Sequence, residues 1–177
     1  LNLLDLYTGT YKQFQKKWLK MFKEINNFLP NNFLSDILTN SFSWYITDTT
    51  KIKGRVGKPY FFHLLYFNEP NSNYYEKIMP KFIEKLKIKK LIRAKLNLYP
   101  RTFNIEEHNY HVDFKYPHKT ALYYVNTNNG FTIFKNPYKK ISSKKNKIIL
   151  FDELSEHKST SCTNKDFRIT LNINYEF

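Results

Sequence analysis

The run that closes the chain, Phe167-Arg168-Ile169-Thr170-Leu171-Asn172-Ile173-Asn174-Tyr175, alternates apolar and polar residues without a break. In an extended strand residues i and i+2 share a face. Phe167, Ile169, Leu171, Ile173, Tyr175 and Phe177 therefore line one side, and Arg168, Thr170, Asn172 and Asn174 the other. The apolar side can be covered by helices. The polar side, with an arginine in it, must then look into a wet interior, which is the setting of a binding site.

The rest of the second half carries the same kind of signal. Strands are expected at Leu91–Tyr99, Tyr110–Phe114, Thr120–Asn126 and Phe131–Phe134, with turns at Asn128-Asn129-Gly130 and Asn136-Pro137. Lys140–Ser143 and Ile148–Phe151 read as a hairpin around Lys144-Lys145-Asn146. The first half has helical spacing. Phe14, Trp18, Phe22 and Ile25 recur at threes and fours, which predicts an amphipathic helix over Tyr11–Phe28. Pro30 precedes a second helix carrying Phe33, Leu34, Ile37 and Leu38, and Asn73 with Glu76 resembles a capping box ahead of a third. Between them lie strands at Ser41–Thr47 and Tyr60–Phe67, the latter holding His63 as a satisfied core histidine. A glycine-bearing basic loop spans residues 49–59.

Helices followed by about eight short strands predict an α+β protein with a sandwich or barrel core. A length of 177 residues suits one domain, with residues 1–90 as mainly helical support and 91–177 as the strand core. Hydrophobic content of 41% argues for a folded chain. No apolar run reaches the ~18 residues of a membrane span, so no membrane partner is expected. The lone Cys162 excludes an internal disulfide and any CxxC zinc site, which fits a reducing, cytoplasmic setting. The formal charge of +14 leaves nucleic acid open as an acidic partner, although the lysines are spread along the whole chain.

The chemistry concentrates in residues 95–126. In a strand His111 and Asp113 point to the same side, and two such ligands need a third. His157 follows Asp113 by 44 residues and Arg168 follows His157 by eleven. Two histidines and a carboxylate on one face of an iron leave adjacent positions open. An arginine on a neighbouring strand adds a planar fork for a carboxylate.

The order His-x-Asp, His, Arg resembles the Fe(II)/2-oxoglutarate-dependent oxygenases, in particular the prolyl 4-hydroxylase-like branch. The resemblance implies a double-stranded β-helix (jelly-roll) core with N-terminal helices packed on one sheet. It implies that His111, Asp113 and His157 bind Fe(II), and that Arg168, aided by Thr170, holds the far carboxylate of 2-oxoglutarate. Tyr99, in Leu98-Tyr99-Pro100, and Tyr124, in Leu122-Tyr123-Tyr124-Val125-Asn126, match tyrosines that complete the family's cosubstrate pocket. The loop at 49–59 then suits a lid over the substrate. Dioxygen is the oxidant, ascorbate an auxiliary, and the implied reaction hydroxylates a C–H bond with release of succinate and CO2. A prolyl residue in a peptide or protein is the first-choice substrate. The alternatives are the same iron chemistry on nucleic acid and a non-catalytic jelly-roll binding module. The His157-to-Arg168 spacing is slightly longer than in many prolyl hydroxylases, and Asn136-Pro137 stands where a glycine turn is common.

Overall fold

The computed structural model describes residues 22–30, 33–34, 37–38, 42–47, 59–152 and 154–176. The elements are β1 (Lys23–Ile25), β2 (Tyr45–Ile46), β3 (Phe61–Phe67), β4 (Glu69–Pro70), α1 (Tyr75–Leu86), β5 (Lys90–Pro100), β6 (Lys119–Tyr124), β7 (Phe131–Phe134), β8 (Lys139–Ser142), β9 (Lys147–Asp152), β10 (His157–Ser159) and β11 (Phe167–Glu176). They form two antiparallel sheets. The major sheet runs β1-β9-β6-β11-β5-β3-β2, with β4 attached to β3, and the minor sheet runs β10-β7-β8. From β6 onward the chain passes to the minor sheet for β7 and β8, returns for β9, crosses again for β10 and ends in β11. This is the jelly roll that the resemblance implies.

The closing strand is the spine. β11 pairs with β5 on one side, Arg168 opposite Tyr99 and Asn172 opposite Lys95, and with β6 on the other, Thr170 opposite Tyr124. Its Ile169, Leu171, Ile173 and Tyr175 join Ala94, Leu96 and Tyr123 under the face of α1 that carries Ile78, Met79, Phe82 and Leu86. The opposite face of the sheet looks toward the minor sheet. Leu122 and Tyr124 from β6 and Ile149 and Phe151 from β9 meet Phe134 and Ile141 there in a second, smaller core. Leu122 and Tyr124 share one side of β6 and Tyr123 the other, as alternation requires.

Several local expectations give way to tertiary partners. The helix over Tyr11–Phe28 lies largely outside the described residues. Its described end is extended, Lys23–Ile25 pairing with Leu150–Ile148 of β9. Of the second helix, the described residues form a single turn in which the Ile37 and Leu38 N–H groups donate to the Leu34 carbonyl. The loop at 49–59 lies outside the described residues except for Pro59. Asn73 does not cap α1. Tyr74 holds that position without a side-chain cap, and Ser72 Oγ accepts the Tyr74 N–H at 3.1 Å. Strands form at Lys139–Ser142 and Lys147–Asp152, but not as a hairpin, because β8 pairs with β7 and β9 with β6. Asn146, with φ 63°, turns the chain between the two sheets. Its carboxamide accepts the Leu29 N–H at 2.8 Å and donates to the Leu29 carbonyl at 2.6 Å, fastening the segment after β1.

Candidate active site

His111 and Asp113 do not lie in a strand. Tyr110–Phe114 is irregular except for an isolated antiparallel bridge between His111 and His157, in which each backbone N–H donates to the other's carbonyl at 3.0 Å. The bridge sets His111 against the first residue of β10, with the two imidazole centres 4.6 Å apart. His157 is buried against Phe134 and Phe151. Ligand atoms of His111, Asp113 and His157 all lie within 4.8 Å of one another.

The imidazoles are oriented alike. His111 Nδ1 faces the Asn109 carbonyl at 3.2 Å, and His157 Nδ1 the Ser155 carbonyl at 2.9 Å. An Nδ1–H donated to a carbonyl leaves the Nε2 lone pair for a cation. Burial, with His157 nearby, holds the His111 pKa below its usual value, so it is neutral and able to ligate.

Asp113 is held by the major sheet. Arg93 donates to Oδ1 at 2.8 Å, Asn174 to Oδ2 at 2.9 Å, and Asn172 straddles both oxygens at 3.3 and 3.1 Å. Burial pushes the carboxyl pKa up, but His157, Arg93 and the two carboxamides outweigh it and keep it well below the carboxylate range. Three donors against about four lone-pair sites leave room for one more electrophile. The donor set thus fits a divalent metal: two imidazoles and an ionised, positioned carboxylate.

Arg168 lies on the same inner face of β11 and is fully buried. Its Nε donates to Ser143 Oγ at 2.7 Å, one terminal nitrogen to Thr132 Oγ1 at 2.9 Å and the other to the Thr160 carbonyl at 3.4 Å. The guanidinium carbon stands 5.3 Å from the Tyr99 ring centre and 5.7 Å from that of Tyr124. Among the described residues no carboxylate pairs with it. Gly130 makes its placement possible, since a Cβ there would fall 2.6 Å from Arg168 Cδ and 2.5 Å from the Ser161 carbonyl oxygen. The buried Tyr124 hydroxyl, Thr170 Oγ1, Asn97 Oδ1 and Asn172 Oδ1 lack hydrogen-bond partners among the described residues. By strand register Thr170 and Asn97 lie between the Arg168–Tyr99 rung and the Asn172–Lys95 rung. Orphaned buried oxygens of this kind mark space for a polar ligand or water.

Sequence reasoning singled out His111, Asp113, His157, Arg168, Thr170, Tyr99 and Tyr124; the structure brings the first three together and sets the other four on inward rungs of β5, β6 and β11. That reasoning missed Arg93, Lys95 and Asn97. Their signal was the alternation in Arg93–Tyr99, where Ala94, Leu96 and Leu98 join the core under α1 and Arg93, Lys95, Asn97 and Tyr99 face inward. His63 is the satisfied core residue expected, 2.6 Å from both the Ser43 carbonyl and Ser72 Oγ. His118 is buried beside Phe114 and Tyr116. Cys162 is buried, its thiol donating to the Lys165 carbonyl. No helix among the described residues is long and apolar enough to cross a membrane.

No protein-family model matches the sequence, and no curated protein matches it. Solved structures do. A viral collagen prolyl hydroxylase from Paramecium bursaria Chlorella virus-1, in complex with 2OG, is 18% identical with a TM-score of 0.60, over 88% of this chain and 97% of that one. A prolyl-4-hydroxylase of Pseudomonas putida is 9% identical with a TM-score of 0.66, over 88% and 92%. A prolyl hydroxylase of Trichoplax adhaerens, in complex with a hypoxia inducible factor peptide fragment, is 15% identical with a TM-score of 0.63, over 99% and 93%. With its two sheets and its His-Asp-His cluster at their mouth, the chain has the jelly-roll fold of the prolyl hydroxylases and other 2OG-Fe(II) oxygenases.

Proposed function

We propose that the protein is an Fe(II)- and 2-oxoglutarate-dependent dioxygenase that hydroxylates a C–H bond, with a prolyl residue of a peptide or protein as first-choice substrate. The observation that carries this reading is the Arg168 guanidinium, fully buried and supported only by neutral acceptors. A buried charge is costly unless paired. A dicarboxylate reaching from Arg168 toward the triad supplies the missing anion, in a bidentate geometry that lysine could not match. The orphaned Tyr124 and Thr170 hydroxyls and the buried Tyr99 phenol flank that path.

His111 and His157 would hold the metal through Nε2, and Asp113 through a carboxylate kept ionised and fixed by Arg93, Asn172 and Asn174. The iron, when bound, supplies the activation of dioxygen. The chain's own residues do the rest: they orient the cosubstrate, keep the Asp113 carboxylate ionised and in place, and exclude water from the reacting centre. The prolyl hydroxylases among the similar structures, one of them holding a peptide, support a peptidyl substrate.

The test is succinate formation from 2-oxoglutarate with Fe(II), against prolyl peptides, free amino acids and oligonucleotides. Turnover on a prolyl peptide, abolished in His111→Ala, is the expected result. Turnover confined to oligonucleotides would move the chemistry to nucleic acid, and no succinate with any partner would leave a non-catalytic binding module.

A further inference from the structure

The interior carries more positive charge than the proposed reaction uses. Facing inward from β5 and β11 or in the triad are three cations, Arg93, Lys95 and Arg168, and one carboxylate, Asp113. Loading with a divalent metal adds two positive charges and a dicarboxylate cosubstrate removes two, so the surplus is unchanged. Arg93 is committed to Asp113 and Asn174, and Arg168 serves the cosubstrate. Lys95 is left over.

Lys95 stands opposite Asn172, the residue that straddles Asp113, and so lies one rung from the metal ligands. Its only hydrogen bond among the described residues is to the Tyr60 hydroxyl at 3.4 Å, and its ammonium lies 5.6 and 5.9 Å from the ring centres of Tyr60 and Phe62. The one nearby carboxylate, Asp113, already has three donors. Tyr60 stacks on Tyr99 and meets His108 edge-on, so the ammonium sits beside a rigid aromatic wall. Burial, reinforced by Arg93, pulls the Lys95 pKa down to about 8, the response of a cation lacking an anion. A half-buried ammonium on an aromatic wall beside the triad is a recognition element whose partner must come from outside.

We propose that Lys95 reads an anion on the substrate, so that the substrate carries a carboxylate close to the carbon that is oxidised and packs its apolar part against Tyr60 and Phe62. This rests on the dioxygenase reading above. The carboxylate can come from an acidic residue beside the target proline or from the α-carboxylate of a free amino acid.

The experiment uses the full chain loaded with Mn(II) and 2-oxoglutarate without oxygen, titrated calorimetrically. One arm compares L-proline with L-prolinamide, and the other compares Pro-Glu with Pro-Gln peptides capped at both ends. In at least one arm the acidic member should bind about tenfold or more tightly than its neutral counterpart. That preference should vanish in Lys95→Met and Lys95→Gln and survive in Lys95→Arg, with 2-oxoglutarate affinity within about twofold of wild type. Equal binding of acidic and neutral members, or no binding of either acid, overturns the proposal. So does a loss of 2-oxoglutarate affinity in both neutral variants, since Lys95 would then serve the cosubstrate. Failure of the wild-type chain to bind Mn(II) and 2-oxoglutarate is a different outcome, which removes the dioxygenase reading itself.

Discussion

Replacing Arg168 by methionine should separate the cost of the buried charge from its use. The guanidinium is fully buried, and neutral groups alone accept its N–H bonds. Burying such an ion costs several kcal/mol after relaxation, while hydrogen bonds to a charged group return about 1.5–3 kcal/mol each. The two nearly cancel, so ligand-free Arg168→Met should melt within about 4 °C of wild type, taking about 2–4 °C per kcal/mol for a chain of this size. Ligand binding should respond very differently. Removing one partner of a buried charge pair costs about 2–5 kcal/mol, which raises the 2-oxoglutarate Kd roughly 30- to 5,000-fold. At a dose of 100 times the wild-type Kd, wild type gains about 2.7 kcal/mol, or roughly 5–10 °C. If the Kd rises about 100-fold, the same dose gives RT ln 2, about 0.4 kcal/mol and roughly 1 °C. Thermal melts with Mn(II), with and without 2-oxoglutarate, read both quantities. A variant that melts normally and keeps the full ligand shift would refute the assignment of Arg168 to the cosubstrate.

Gly130→Ala places a Cβ against the Ser161 carbonyl and the Arg168 stem. It should cost about 1–3 kcal/mol as overpacking and weaken 2-oxoglutarate binding, both read by the same melts. Asn146→Ala leaves the Leu29 N–H and carbonyl and the Tyr123 hydroxyl without their partner. At about 1–3 kcal/mol for each buried polar group stranded, chemical denaturation should show a loss of at least about 2 kcal/mol. His63 tests the pH dependence of folding. Burial lowers its folded pKa, with the Ser43 carbonyl opposing, so below about pH 6.5 the unfolded chain binds a proton more readily than the folded one. Its contribution is present above that pH and is lost as pH falls toward the folded value. Melts between pH 7.5 and 5.5 should therefore lose stability on acidification, with a shallower slope in His63→Gln.

Arg168 was legible because strand chemistry is read at period two, and the triad because ligand types are few, although His111 and Asp113 lie outside any strand. The scaffold was less so, for a consistent reason. Where a segment's local pattern suits two structures, a distant partner decides. Phe14 to Ile25 has helical spacing, yet Lys23–Ile25 is taken up by the free edge of β9. Ser143–Asn146 could close a hairpin as well as cross between sheets. The clue lay in Ile148-Ile149-Leu150-Phe151, a continuous apolar run rather than an alternating one. Ile148 packs under α1 and Ile149 between the sheets, so β9 is covered on both faces and belongs in the major sheet. Arg93, Lys95 and Asn97 look like any solvent-facing row of a strand. Only pairing with β11 turns them inward, and no local feature announces that pairing.

The two ends of the barrel interior differ in chemistry, and the difference identifies the working end. Between β6, β9 and the minor sheet the space is filled by Leu122, Phe134, Ile141, Ile149 and Phe151, as packing for stability alone would fill it. Along β5 and β11 the same interior is lined with Arg93, Lys95, Asn97, Arg168, Thr170, Asn172 and Asn174, several with oxygens that no described residue satisfies. Apolar side chains of similar volume would be at least as stable there. The polar lining therefore costs the ligand-free fold something, and the cost is recovered only when anions and a cation enter. The same logic ranks the lining residues. Arg93, Asn172 and Asn174 already hold Asp113 and set geometry, whereas Arg168 and Lys95 are cations awaiting partners, and substitutions at those two should alter ligand affinity before they alter the fold.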